Sequence, residues 1–403
     1  MAVGHDDENT SDVPERSESP SHQAPPPSDS IIKQLSILDR FLSVWVFLAM
    51  VVGLLIGYFE PSVGQALQSV SISSVSVPVA LGLILMIIPV FCKVPFENLK
   101  PVFAATDVRM QLMFSAVMNW ILGPFLMMAL GWATLHDLPD YRNGLILIGL
   151  ARCIAMVALW NSLAHGSIEY CAILIAMNSL FQMLFYSPLA VLLIGVISNG
   201  HSGYSDMLPF FRSVTISVLM YLGIPLVLGV STRYTLRRVA GNVWYDAVFI
   251  PRFSPLALGG LLYTIVVLFA IQGHDVINEI GPASRVAVPM LLYFMIMFSV
   301  TLLLAYYFRF PYKLAVTQAF TASSNNFELA IAIAVGTFGV TSPAAVAAVV
   351  GPLIEVPVLL LLVSVALRLQ PWWERNVPTP VAEQRASKCD VDASPDADDI
   401  PLI

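Results

Sequence analysis

The chain has 403 residues, of which 57% are hydrophobic and only 12% charged, and its mean hydropathy is +0.77. Soluble domains carry about 25% charged residues, and the apolar residues here form uninterrupted blocks, so the composition excludes a soluble globular protein. The formal net charge is −7, with much of the acid near the two ends. No basic segment followed by an apolar one opens the chain, which argues against a cleavable signal peptide.

Ten apolar segments approach or exceed the roughly 20 residues that a helix needs to cross a bilayer. They are predicted near 41–59, 72–92, 110–133, 143–164, 169–197, 209–231, 254–272, 286–308, 313–338 and 342–369, and are called spans 1 to 10. With the N-terminus inside, thirteen Lys and Arg residues lie at the cytoplasmic ends and three, Arg142, Arg212 and Arg285, on the other side. This asymmetry predicts that both termini are cytoplasmic.

Short motifs recur at nearly one offset between the two halves. The pairs are Pro78–Gly82 with Pro255–Gly259, Gly53–Gly57 with Ile224–Gly229, and the apolar runs after Pro188 and Pro357. Five spans per half is an odd number, so the second half must be inverted relative to the first. The predicted fold is therefore an all-α integral membrane protein of two inverted five-helix repeats, with discontinuous helices in spans 4 and 9 that cross.

The predicted boundaries are a tail at 1–34, the first repeat at 35–200, the second repeat at 201–370, and a tail at 371–403. Both tails are rich in Pro, Ser and acidic residues. Such segments bury too little apolar surface to offset the entropy of ordering, so we expect them to be disordered.

Span 4 carries Arg152 and Cys153 about ten residues from either end. A central Arg costs about 2.5–3.5 kcal/mol on insertion scales, so it needs a purpose. Two explanations are possible: Arg152 belongs to a functional site, or it pairs with a carboxylate that holds the helices together. Trp160 follows two turns later and either lines the same site or faces lipid.

Span 9 contains Ser323–Glu328, a polar stretch inside an otherwise apolar segment. Ser and Asn favour caps and turns over helix interiors, and irregular backbone at this depth is tolerated only where it is buried in protein or lines a cavity. We predict an unwound stretch followed by a half-helix capped by Asn325 or Asn326. The N-terminus of that half-helix would favour an anion, and Glu328 lies in it.

Two further spans contain polar groups. Glu355 lies between Gly351 and Pro357 in span 10, where it either titrates near neutral pH or holds Arg152 or a backbone kink. Asn178 and Gln182 lie four residues apart in span 5, on one helical face. They are either site residues or groups that form hydrogen bonds between helices. Trp120 and Trp132 are interpreted as interfacial aromatic residues.

Several other classes of site lack their sequence signatures. None of the four cysteines forms a CxxC pair, no HExxH spacing is present, and no GxxxxGK[ST] loop occurs. We therefore expect no enzyme, no bound metal, no cofactor, no ATP-driven pump and no nucleic-acid partner. Ten spans with an inverted repeat also argue against a receptor.

Four motifs together resemble one known family. They are Arg152–Val157 with Trp160–Asn161, Ala176–Gln182, Ser324–Ala330, and Gly351–Pro357. Over residues 35–370 the chain resembles the arsenical-resistance permeases of the bile acid/arsenite/riboflavin transporter superfamily.

The resemblance implies proton-driven efflux of arsenite, and of antimonite in some members, across the plasma membrane or a vacuolar membrane. It implies that Cys153 and Glu328 are the functional pair and that Arg152, Trp160, Asn178 and Glu355 contribute. Asn325 and Asn326 complete the expected substrate site, while Glu328 and Glu355 are the expected proton carriers. Arg233 matches a further family position, but we interpret it as a cytoplasmic anchor. The alternative is an organic-anion or bile-acid-type symporter of the same fold.

Overall fold

The computed structural model describes residues 42–69, 71–72, 75–94, 96, 106–154, 156–198, 207–278, 280–339 and 342–377. The predicted N-terminal tail, 1–34, and most of the predicted C-terminal tail lie outside these residues. The only pair of strands within them is a two-residue antiparallel ladder of β1, Ser71–Ile72, with β2, Val75–Ser76. The described chain is otherwise helices and their connections.

The helices are numbered here in chain order. Four of them contain a π-helical turn: α4 at Met118–Leu122, α7 at Val191–Ser198, α8 at Leu219–Gly223 and α9 at Tyr245–Phe249. The bounds are α1 Leu42–Phe59, α2 Pro61–Ser69, α3 Val77–Lys93, α4 Thr106–Thr134, α5 Pro139–Leu150, α6 Val157–Leu163, α7 Ile168–Ser198, α8 Met207–Ala240, α9 Asn242–Phe253, α10 Pro255–Asn278, α11 Ile280–Arg285, α12 Ala287–Tyr307, α13 Tyr312–Ser323, α14 Phe327–Phe338 and α15 Pro343–Asn376.

Six helical stretches in the described residues are long and apolar enough to cross a membrane. They coincide with predicted spans 3, 5, 6, 7, 8 and 10. A seventh is obtained if α1 and α2, which are bent by 100° at Glu60, count as one span. Spans 2, 4 and 9 coincide with the shorter helix α3 and with two interrupted helices, α5–α6 and α13–α14. The chain is therefore a multi-pass membrane protein, while the full count of ten spans stays a prediction.

Close contacts between helices depend on glycine. A Cβ added at Gly57 of α1 would lie 2.5 Å from the carbonyl oxygen of Ala270 in α10, and one at Gly229 of α8 would lie 2.5 Å from Cβ of Phe91 in α3. Small residues let helix backbones approach closely in membranes, where packing rather than the hydrophobic effect drives association. Spans 1 and 7, and spans 6 and 2, are therefore closely packed pairs.

The last helix is longer than predicted. It continues to Asn376, past residue 371 where the C-terminal tail was expected to begin. Trp372 stacks on Tyr306 at 5.2 Å, and the indole N–H of Trp373 donates to the carbonyl of Phe310 at 3.0 Å. These aromatic contacts hold the helix end against α12.

A surface ion pair joins the end of α11 to the connection between α4 and α5. Arg285 donates to both carboxylate oxygens of Asp137 at 2.7 Å and to the carbonyl of Thr134. The hydrogen bonds from Arg285 lower the pKa of Asp137 to about 2. Because the folded pKa is below the unfolded one, any stabilisation is complete above about pH 4 and is lost only as the pH falls towards 2.

Candidate functional site

Two interrupted helices meet at their interruptions. The helical path stops between α5 and α6, after Leu150, and again between α13 and α14, after Ser323. Arg152 and Asn325 pair there as an isolated antiparallel bridge, and the backbone N–H of Asn326 donates to the carbonyl of Ala151 at 2.9 Å. Unwound backbone deep in a membrane must find hydrogen-bond partners within the protein, and each interruption supplies partners to the other.

The two asparagines have different parts in this junction. Asn325 donates through Nδ2 to the carbonyl of Ile148 at 2.8 Å and to that of Ala151 at 3.3 Å. Asn326 caps α14, since its Oδ1 accepts from the N–H of Leu329 at 3.0 Å. Of the two predicted capping residues, Asn326 is the cap, and Asn325 binds the end of α5, where the helix leaves carbonyls unpaired.

The Arg152 guanidinium is fully buried and surrounded by neutral acceptors. Nη1 donates to the hydroxyl of Tyr293 at 2.9 Å and lies 3.5 Å from the carbonyl of Ala322, while Nη2 contacts the carbonyl of Gly149. Within the described residues its Nε has no partner and the group forms no ion pair. The structural pairing with a carboxylate is thus not seen in this part of the chain.

Tyr293 and Gln182 hold Arg152 in place. Tyr293 accepts from Arg152 and donates to Ala322, so it joins the two interrupted helices from α12. Gln182 exchanges two hydrogen bonds, both 3.1 Å, with the backbone N–H and carbonyl of Arg152. Tyr293 was not among the predicted site residues, although a Tyr near the middle of an apolar span needs a partner for its hydroxyl.

The Cys153 thiol lies in the first interruption and is 2% exposed. Its sulfur accepts from the N–H of Val157 at 3.2 Å, across the start of α6. Cys153 directly follows Arg152, which pairs with Asn325. Next to Asn325, Ser324 binds Glu355, and Glu328 lies three residues further along the chain. The structure therefore brings together the thiol and the two carboxyl groups that the sequence placed in three separate spans.

Glu355 reaches from α15 to the second interruption. Its Oε1 accepts from the hydroxyl of Ser324 at 2.7 Å and from the backbone N–H of Asn325 at 3.2 Å. The other oxygen, Oε2, is buried and has no partner among the described residues. Of the two structural partners considered for Glu355, the observed one is the unwound backbone and not Arg152.

Replacing Glu355 by Ala is expected to destabilise the protein. The change leaves the N–H of Asn325 and the hydroxyl of Ser324 without their acceptor in a buried place, which costs about 1–3 kcal/mol. Thermal unfolding of the purified protein in detergent measures it. Glu355→Gln retains Oε1 as an acceptor and is expected to unfold close to the wild-type temperature; equal losses in both variants would contradict this role.

Glu328 lies in the first turn of α14, next to the cap, and is 8% exposed. A carboxylate at this position is favoured by the helix dipole and by unpaired N–H groups. The preceding residue, Phe327, packs its ring against Gly351 of α15. The position of Glu328 therefore depends on a close contact between α14 and α15.

Gly351→Ala is expected to disturb that contact, because a Cβ at this position would overlap the Phe327 ring. Overpacking of this kind costs about 1–3 kcal/mol, and we expect a lower unfolding temperature. Gly259→Ala is the matched control, since a Cβ there meets no atom within 4 Å and helical Ala is favoured over Gly by about 0.5–1 kcal/mol. A Gly351→Ala protein as stable as the Gly259→Ala protein would refute the argument.

Two predicted site residues, Trp160 and Asn178, are buried but form no hydrogen bond to the junction of the two interrupted helices. Trp160 is 1% exposed on α6, and its indole N–H has no partner within the described residues. Asn178 on α7 accepts from the indole N–H of Trp120 at 3.1 Å, while its Nδ2 has no described partner. Trp120 is only 7% exposed, so its interpretation as an interfacial residue was wrong; the π-helical turn of α4 contains it.

Arg233 is more than a surface anchor. It is 4% exposed and donates to the carbonyl of Cys92, at the end of α3, at 3.0 Å. The hydroxyl of Tyr245 donates to the same carbonyl at 2.9 Å. Arginine at a helix C-terminus satisfies carbonyls that the helix leaves open, and Arg233 does this for α3 from α8.

Comparison with known proteins agrees with the motifs at this site. Residues 80–279 match the model of the Sodium Bile acid symporter family. The chain is 40% identical over 355 residues to the arsenical-resistance protein Acr3 of Corynebacterium glutamicum, covering 88% of this chain and 95% of that protein. An uncharacterized transporter of Synechocystis sp. is 32% identical over 363 residues, 85% of this chain and 91% of the relative.

The Acr3 protein of Alkaliphilus metalliredigens is 29% identical over 351 residues, 85% of this chain and 95% of the relative. These alignments span both interrupted helices as well as the helices around them. The resemblance to the arsenical-resistance permeases is thereby confirmed, and the chain belongs to the Acr3 arsenical-resistance family.

Proposed function

We propose that this protein exports arsenite from the cytosol in exchange for protons. Family membership makes the chain a membrane transporter in arsenical resistance and not an enzyme. The observation that carries the proposal is the convergence of the Cys153 thiol, the Arg152 guanidinium and two carboxyl groups where two broken helices meet. Substrate sites of secondary transporters are typically built at such broken helices.

Trivalent arsenic is thiophilic, and a thiolate is its best protein ligand. In the proposed binding step the Cys153 sulfur replaces one hydroxyl of arsenous acid, and the thiol proton leaves with that hydroxyl as water. Hydrolysis of the As–S bond reverses the step and releases the substrate. A single thiol suits a carrier, because several thiolates would bind arsenic too tightly for release.

Arg152 and the capped end of α14 would hold the remaining oxygens. The guanidinium has an unused Nε–H, and Asn325 and Asn326 bring the positive end of α14 to the same junction. Trp160 and Asn178 each keep an unused N–H in the protein interior. We assign these five residues to the substrate site, together with Cys153 and Glu328.

Glu328 and Glu355 are the proposed proton carriers. Both are buried, and each is within electrostatic range of the other, so a proton on one affects the second. Neutral arsenous acid leaving as one proton enters moves one charge down the membrane potential in each cycle, and a monoanion moves two. Moving two charges is worth roughly 4.6 kcal/mol at 100 mV, about 2.3 per charge.

The full architecture proposed for this cycle has ten spans in two inverted repeats, with both termini in the cytoplasm. Three observations support it. The interrupted spans 4 and 9 meet at Arg152 and Asn325. Gly57 and Gly229, paired in the repeat, both make close helix contacts. Arg285, assigned to the outer side, bonds to Asp137, which lies in the same connection between spans 3 and 4 as the outer-side residue Arg142. The plasma membrane is the proposed location, a vacuolar membrane the second, and antimonite a further substrate.

Arsenite uptake into everted membrane vesicles tests the proposal. Vesicles from an expressing host receive an imposed proton gradient, which a protonophore then collapses. Gradient-dependent accumulation that stops on collapse is the expected result. A folded protein that accumulates no arsenite would overturn the proposal and leave the alternative, an organic-anion symporter, which uptake of a bile acid with imposed sodium would identify.

A further inference from the structure

A cavity of about 410 Å³ lies between the first part of α8 and the end of α14. Its lining includes Arg212, Ser213, Ser217 and Tyr221 from α8, and Gly336 from α14. Ser213, Ser217 and Tyr221 are spaced by four residues, so they form one polar stripe along an otherwise apolar helix. A water occupies about 30 Å³ in the liquid, so the cavity has room for a small oxyanion and several waters.

The cavity extends from the outer end of α8 to the depth of Glu328. Ser213 donates to the carbonyl of Gly336 at 3.2 Å, and the π-helical turn Leu219–Gly223 also contacts α14, which ends two residues after Gly336. The two helices must therefore run antiparallel. Tyr221 is eight residues beyond Ser213 and Glu328 eight before Gly336, so both lie about 12 Å deeper at 1.5 Å per residue.

The inner end of the cavity contains an unsatisfied hydrogen-bonding group. The Tyr221 side chain is 2% exposed, and its hydroxyl has no partner within the described residues. Buried Tyr hydroxyls usually find a partner, whereas this one is buried beside the cavity without one, and a turn of the side chain would bring it to a ligand. At the other end, Arg212 is exposed and carries one of the three basic groups assigned to the outer side.

We infer that this cavity is an exit site for arsenite. It rests on the proposed function, because it receives the substrate that Cys153 releases. The Tyr221 hydroxyl binds an arsenite oxygen at the depth of Glu328, the two serines line the path, and the Arg212 guanidinium binds the oxyanion at the outer mouth. Binding here is weak because it involves only hydrogen bonds and charge, with no As–S bond.

Inhibition from the product side tests the exit site. In everted vesicles the outer face of the protein faces the lumen, so arsenite loaded into the lumen occupies the exit site and slows further uptake. The measurement is the lumen concentration that halves the initial uptake rate of radiolabelled arsenite, with each variant referred to its own rate in empty vesicles. Hydrogen bonds are worth about 0.5–1.5 kcal/mol and those to charged groups about 1.5–3.

From those values we expect the half-inhibiting concentration to rise about threefold in Tyr221→Phe and about tenfold or more in Arg212→Gln. Arg212→Lys keeps the charge and should fall between wild type and Arg212→Gln. Arg285→Gln is the matched control, since Arg285 is also assigned to the outer side but bonds to Asp137 outside the cavity; it should behave as wild type.

The outcomes separate the two proposals. A wild-type protein that takes up no arsenite contradicts the proposed function itself. If the wild type transports arsenite but Tyr221→Phe and Arg212→Gln have the same half-inhibiting concentration as the wild type, the exit site alone is overturned. If Arg212→Gln does not fold, Tyr221→Phe and Arg212→Lys test the exit site instead. Both changes nearly preserve the size of the side chain, and Arg212→Lys also preserves its charge.

Discussion

Replacing Cys153 by Ser is expected to reduce arsenite accumulation at least 100-fold while leaving the protein folded. The serine oxygen can accept the hydrogen bond that Val157 now donates to sulfur at 3.2 Å, so the start of α6 keeps its partner. Only the affinity of sulfur for trivalent arsenic is lost, because oxygen is a hard ligand. Uptake into everted vesicles and thermal unfolding of the same preparation measure the two effects.

Cys171→Ser is the matched control for this variant. Cys171 is also a buried thiol, 1% exposed on α7, but it lies outside the junction of the broken helices. We expect its replacement to retain at least half of the uptake. Wild-type accumulation by Cys153→Ser would exclude an arsenic–sulfur bond from the transport cycle and would favour a carrier of ordinary organic anions.

Glu328→Gln is expected to abolish uphill transport, since an amide cannot bind and release a proton near neutral pH. One charge moving through 100 mV sustains a concentration ratio of about 50, and two charges a ratio on the order of 10³. The variant should approach a ratio of about 1. The amide has nearly the shape of the carboxyl group, and the Asn326 cap of α14 does not involve it. The accumulation ratio at steady state, with and without protonophore, is the measurement.

A carboxyl group outside the site serves as the control. Glu169 is exposed in the first turn of α7, and Glu169→Gln should accumulate arsenite as the wild type does. Gradient-driven accumulation by Glu328→Gln would show that the proton is carried elsewhere, and Glu355→Gln would then be examined in the same assay. Loss in both the 328 and 355 variants would indicate that the two carboxyl groups act as one unit.

Most of the helical regions could be predicted because hydropathy is a local property. The long apolar segments of spans 3, 5, 6, 7, 8 and 10 coincide with helices able to cross a membrane. The interruptions in spans 4 and 9 were also accessible, since the polar stretch Ser323–Glu328 cannot continue an apolar helix at little cost. The helix continues past residue 369, the predicted end of span 10, because Trp372 and Trp373 contact residues more than 60 positions away.

The sequence indicated which residues are candidates for the site, but not which residues they contact. Arg152, Cys153, Glu328 and Glu355 were selected because ionisable or reactive groups within apolar spans are costly and need a reason. Their partners depended on packing: Glu355 binds the Asn325 backbone, and Arg152 binds Tyr293, 141 positions away. Helices that are apolar on all sides carry little periodicity, so the sequence does not indicate which face meets which neighbour.

The sequence by itself determined that this is a membrane protein of the arsenical-resistance family and which polar groups interrupt its apolar segments. Composition, helix-breaking residues and motifs are local properties of the sequence, so they do not depend on which segments contact each other in the fold. Only the tertiary structure decided that the thiol, the guanidinium and the carboxyls converge on one junction, and that a polar stripe on α8 lines a cavity reaching the depth of Glu328. Those facts arise from contacts between distant segments, whose geometry is set by the packing of whole helices.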